Sequence, residues 1–117
     1  MRSTKGTSRQ KDLEKELARI VKVLRTSYDP EKIISFGSFA TGRTHEWSDL
    51  DIAVIKDTNK QFIDRLIEVA RQVKSELATD FVVYTPKEFA DMAKDNYFVR
   101  EEILGKGKVI YDKNKTQ

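Results

Sequence analysis

Apolar residues fall on a helical stripe near the start of the chain. Leu13, Leu17, Ile20, Val21 and Leu24 predict an amphipathic helix from Asp12 to about Ser27. Asp29-Pro30 ends it, because a residue preceding proline is pushed out of the helical region. The pattern then changes to short continuous apolar runs, Ile33 to Phe36 and Leu50 to Ile55, which read as buried strands. Lys56-Asp57-Thr58-Asn59 is a turn. Helical spacing returns with Phe62, Ile63, Leu66, Ala70, Val73 and Leu77, a second long helix reaching about Leu77. Phe81-Val82-Val83-Tyr84 is a further strand by its β-branched and aromatic content. Thr85-Pro86 opens a helix with proline at its first position. Phe98, Ile103 and Leu104 mark another short helix stopped by Gly105 and Gly107, and Val109-Ile110-Tyr111 reads as an edge strand. The order of elements predicts an α+β fold, a small mixed sheet packed against helices.

Length and composition narrow this picture. A chain of 117 residues buries roughly 65% of its unfolded surface, enough for one core. One domain is therefore predicted over 12–111, after a disordered basic tail over 1–11 and before a frayed tail over 112–117. Within a formal charge of +3, Arg2, Lys5, Arg9 and Lys11 cluster at the start and read as a solubilising segment; nucleic acid is not an expected partner. The absence of cysteine excludes disulfides, thiolate zinc sites and cysteine nucleophiles, and the single histidine, His45, cannot build a histidine metal cluster. No run approaches the ~20 apolar residues of a membrane span, and the N-terminus lacks the apolar centre of a signal peptide, so a cytoplasmic location is expected.

The candidate chemistry lies between the first two strands. Successive strand residues point to opposite faces, so Asp49 and Asp51 look the same way while Leu50, Ile52 and Val54 face the other layer. Two carboxylates on one face repel unless a cation lies between them. Mg²⁺ suits the position, since it takes oxygen ligands and is commonly shared between one or two carboxylates and substrate phosphates. Gly37-Ser38, ten residues upstream, offers a turn with close backbone approach and a hydroxyl, the components of a phosphate cradle. Asp80, ahead of Phe81, is the candidate third carboxylate. Arg43 either pairs with Glu46 on the surface or reaches a triphosphate. Trp47 is expected as a partial core anchor, His45 as solvated and Lys56 as a surface lysine.

Gly37-Ser38, ten residues, Asp49-x-Asp51, with Ala40-x-Gly42 in the spacer and Asp80 on a later strand, resembles the DNA polymerase β-type nucleotidyltransferase superfamily. The pattern is most similar to the minimal nucleotidyltransferases, small proteins that act as antitoxins by modifying HEPN toxins. The resemblance implies a polymerase β-like catalytic fold and transfer of a nucleoside monophosphate, AMP from ATP, to a hydroxyl of a helical HEPN-type partner. It implies that Asp49, Asp51 and Asp80 are catalytic and hold two Mg²⁺ ions, with Gly37, Ser38 and Arg43 binding the nucleotide. Two other activities fit the same motif: a nucleotide-binding regulatory subunit without turnover, and transfer to a small aminoglycoside-like molecule. A homo-oligomer is compatible with any of them.

Overall fold

The computed structural model describes residues 5–115. Helix α1 (Lys5–Ser27) is followed by strand β1 (Lys32–Phe36), a single-turn helix α2 (Gly37–Ala40), β2 (Leu50–Ile55) and α3 (Phe62–Val73). Strand β3 (Thr79–Tyr84), α4 (Pro86–Asp95), a π-wound helix α5 (Phe98–Gly105) and β4 (Lys108–Asp112) complete the fold. The strands form one mixed sheet in the order β3-β2-β1-β4, with β2 and β3 parallel and the other pairs antiparallel. This is the α+β arrangement expected, with β4 on an edge. Among the described residues no helix is long and apolar enough to cross a membrane.

Both faces of the sheet are covered, and alternation along the strands assigns each residue its layer. Ile33, Leu50, Ile52, Val54 and Val83 pack beneath Leu13, Leu17, Ile20 and Leu24 of α1 and Val69 and Val73 of α3. Ile34, Phe36, Ala53, Ile55 and Tyr84 pack against Phe89 of α4 and Val99 and Ile103 of α5. Helix α4 starts where predicted, and its first turn is closed reciprocally: the Glu88 amide donates to Thr85 Oγ1 and the Thr85 amide donates to the Glu88 carboxylate. Buried Arg65 joins this cap to α3 and β3, donating to both Glu88 carboxylate oxygens and to the carbonyls of Val83 and Lys60.

Three elements differ from the periodic pattern. Helix α1 begins at Lys5 rather than Asp12, so residues 5–11 are helical and not a disordered tail; Arg2 and the rest of the first four residues lie outside the described region. Arg9, on the Ser48 carbonyl, and Gln10, on the Thr44 hydroxyl, hold this added length against the site loop. Helix α3 stops at Val73, short of Leu77, because Lys74 turns left-handed at φ 49°. Arg19 takes the freed carbonyls of Val73 and Lys74 at 3.1 and 3.2 Å, and Glu16 accepts the Glu76 amide at 2.6 Å. Trp47, expected as a core anchor, is 78% exposed, since the four covering helices already fill both layers of the core.

Candidate active site

Sheet register sets the site. Phe36 pairs with Asp51, and Asp51 pairs with Asp80 on the parallel neighbour, one strand spacing of roughly 5 Å away. Asp49 immediately precedes β2. The C-terminal end of β1 and the N-terminal ends of β2 and β3 thus bring Gly37, Asp49, Asp51 and Asp80 to one rim of the sheet. Asp51 and Asp80 share the side that carries Ala53 and Val82, opposite α1 and α3. Asp80 is exposed and Asp51 half-buried. Burial, then the charges of Asp80 and Asp49, push the Asp51 carboxyl up to about 6.

Gly37 is fitted to this carboxylate. Its φ of +81° lies in the left-handed region, and a Cβ at this position would overlap Asp51 Oδ2. Only a glycine lets the chain turn from β1 into α2 in direct contact with the acid. Ser38 follows, its Oγ donating to Ser48 Oγ at 3.0 Å. Buried Ser48 also accepts the His45 amide on its Oγ at 2.9 Å and donates its own amide to the His45 carbonyl at 3.0 Å. These bonds close the loop so that Ser38 and Asp49 are held through one residue. The Arg43 amide donates to the Ser38 carbonyl at 2.9 Å, while its side chain is exposed and near enough to Lys106 for the two cations to oppose each other. His45 is exposed, and Lys56 turns away from the site to donate to the Tyr28 carbonyl at 2.6 Å.

Two residues of the site were not read from the sequence. Ser48 carried a signal, standing directly before Asp49 and ten residues from Ser38. Arg9 carried none: it reaches from α1, 39 residues away, to donate Nε to the Ser48 carbonyl at 2.8 Å, with Nη2 3.6 Å from Asp49 Oδ1.

The fold and this rim define an α+β catalytic domain in which carboxylates on adjacent strands face a Gly-Ser turn. The chain belongs to the polymerase beta nucleotidyltransferase family, matched over residues 18–116, and its enzyme class is nucleotidyltransferase. Over 100 residues it is 28% identical to the Methanocaldococcus jannaschii protein named "Putative protein adenylyltransferase MJ0604", covering 84% of this chain and 97% of that one. Its fold is similar to the crystal structure of a "putative nucleotidyltransferase from Sulfolobus solfataricus" (TM-score 0.71, 20% identity, 97% of this chain and 93% of that one). It is also similar in fold to a chain of a toxin-antitoxin crystal structure with AMP-PNP (TM-score 0.55, 24% identity, 81% and 72% covered).

The residues present fit a hard divalent cation. The donors are all carboxylate oxygens, and Asp51 is raised by burial first and then by the charges of its two neighbours. Among the described residues no group of three His, Cys, Asp or Glu side chains is placed to hold a metal ion. Mg²⁺ needs only one or two carboxylates when phosphate oxygens and water fill its remaining positions, so Asp49 and Asp51 are the donors it would use here.

Proposed function

We propose that this nucleotidyltransferase transfers AMP from ATP to a hydroxyl of a helical HEPN-type toxin and so acts as its antitoxin. The observation that carries the reading is the pairing of Asp51 with Asp80, with Asp49 beside them and Gly37 packed on the Asp51 carboxylate. The name of the Methanocaldococcus jannaschii relative supports a protein acceptor, and the toxin-antitoxin neighbour with AMP-PNP supports an adenine nucleotide and a toxin partner.

Asp49, Asp51 and Asp80 would hold Mg²⁺, which when bound neutralises phosphate charge and activates the attacking oxygen. Gly37 and Ser38 position the β- and γ-phosphates, with Arg43 at the rim. The acceptor oxygen forms a bond to the α-phosphorus as the bond to the β-phosphate bridging oxygen breaks and pyrophosphate leaves. Asp80 is exposed, and in this reading it takes the hydroxyl proton of the acceptor. Catalysis of this kind is positioning and charge neutralisation, so loss of one carboxylate should lower the rate at least on the order of 10²-fold. Incubation with α-labelled ATP, Mg²⁺ and the HEPN-type partner should label the partner. Absence of label, with wild type and Asp49→Ala indistinguishable, would sink the reading.

A further inference from the structure

We propose that Arg9 is a phosphate-binding residue of the nucleotide site, resting against Asp49 until a metal-bound triphosphate replaces that contact. The inference rests on the nucleotidyl-transfer reading above and adds a residue that lies outside the matched family region of 18–116.

The geometry separates two jobs within one guanidinium. Nε donates to the Ser48 carbonyl at 2.8 Å, a good hydrogen bond that fixes the group in place. Nη2 stands 3.6 Å from Asp49 Oδ1, too long for a hydrogen bond, so charge alone holds it there. The anchored side is strong and the site-facing side is exchangeable. The side chain as a whole retains 21% exposure. At the next residue Gln10 Oε1 accepts from Thr44 Oγ1 at 2.5 Å, so α1 is tied to the site loop at successive positions.

Ser48 makes this placement specific. Its carbonyl holds Arg9, its Oγ holds Ser38, and its successor is Asp49. A cation, a hydroxyl and a carboxylate are therefore gathered around one buried residue, as a magnesium triphosphate requires. Guanidinium offers paired N–H donors matched to phosphate oxygens. A fixed cation at this position opposes a bare metal ion on Asp49 but attracts the same ion when a triphosphate accompanies it, because the complex is then anionic. That contrast distinguishes phosphate binding from a purely structural staple, which would weaken both equilibria together.

The test measures Mn²⁺ alone by electron paramagnetic resonance, and a non-hydrolysable ATP analogue with Mg²⁺ by calorimetry. Arg9→Gln should bind Mn²⁺ alone as tightly as wild type or up to about tenfold more tightly, as a nearby positive charge is removed. It should bind the nucleotide about ten- to a hundredfold more weakly, the loss of a charge-assisted contact. Arg9→Lys, which keeps the charge but cannot serve the Ser48 carbonyl and a phosphate together, should recover only part of the nucleotide affinity, and Gln10→Ala, which cuts only the neighbouring staple, should leave it unchanged. Parallel weakening of metal and nucleotide in Arg9→Gln, or equal nucleotide weakening in Gln10→Ala, would assign Arg9 to a staple and overturn the proposal. Tighter binding of both ligands would make Arg9 a plug on Asp49 and overturn it equally, as would unchanged nucleotide affinity. No nucleotide binding by wild type would instead refute the nucleotidyl-transfer reading, and the role of Arg9 with it.

Discussion

Asp51→Asn should stabilise the metal-free protein at pH 8 while abolishing its activity. The Asp51 carboxyl is raised from 3.8 to about 6 by burial and by the charges of Asp80 and Asp49. In the unfolded chain the group is ionised above about pH 4, whereas the folded protein keeps its proton to about pH 6. The native state binds the extra proton in this window, so stability falls as pH rises through it. A shift of about two units has a ceiling near 3 kcal/mol. Asp51 is only half-buried and water screens its neighbours, which reduces the penalty to about 1–2 kcal/mol. Asparagine keeps the shape and carries no charge, so the variant should melt about 5–10 °C higher than wild type at pH 8 in the presence of a chelator. The difference should vanish below pH 4, where Asp51 is protonated in both states. Thermal unfolding followed by circular dichroism across pH 3.5–8 measures this directly. Equal midpoints at pH 8, or a gain at pH 3.5 as large as at pH 8, would refute the burial and crowding of charge inferred for this rim. The same variant should lose at least on the order of 10²-fold in transfer rate, the expected conflict between a stable fold and a charged site.

Other positions test the remaining parts. Gly37→Ala combines a left-handed backbone with overlap onto Asp51, so it should destabilise by about 2 kcal/mol or more in denaturant titration and abolish nucleotide binding; a neutral result would contradict the close packing. Ser48→Ala removes the hydroxyl shared by Ser38 and the His45 amide and should lower stability by about 1–2 kcal/mol with weaker nucleotide binding, both measurable by calorimetry. Arg65→Ala strips partners from two carbonyls and Glu88, and a loss of about 3 kcal/mol in chemical unfolding is expected. The Arg65 hydrogen bond, opposed in part by burial, holds Glu88 below its usual 4.5. Its stabilisation is present above pH 4.5 and lost as pH falls through the folded value, so Glu88→Gln should be less stable than wild type at neutral pH and converge with it in acid.

Much of the fold was legible because local geometry repeats. The stripe through Leu13, Leu17, Ile20 and Leu24, the runs at β1 and β2, and the Thr85-Pro86 start each follow from backbone periodicity or cap chemistry. Trp47 was misread because an aromatic residue in a short chain is expected to pack, yet the layers it would enter are filled by other helices. The end of α3 was misread because apolar spacing continues to Leu77 after the backbone has left the helix; Leu77 still touches the core, from outside the helix.

The sequence by itself pointed to the residues proposed here to carry the chemistry. The alternation of Asp49, Leu50 and Asp51 and the Gly37-Ser38 turn are local properties, set by strand geometry and glycine's freedom of φ. Tertiary structure alone decided that β3 lies parallel beside β2, which places Asp80 against Asp51, where burial first and then the charges of Asp80 and Asp49 raise the proton affinity of Asp51. It also decided that α1 crosses the loop and sets Arg9 on Ser48 and Asp49. Strand order and helix docking depend on which faces bury each other across the whole core, so residues 39 apart in the chain meet without any local pattern to announce it.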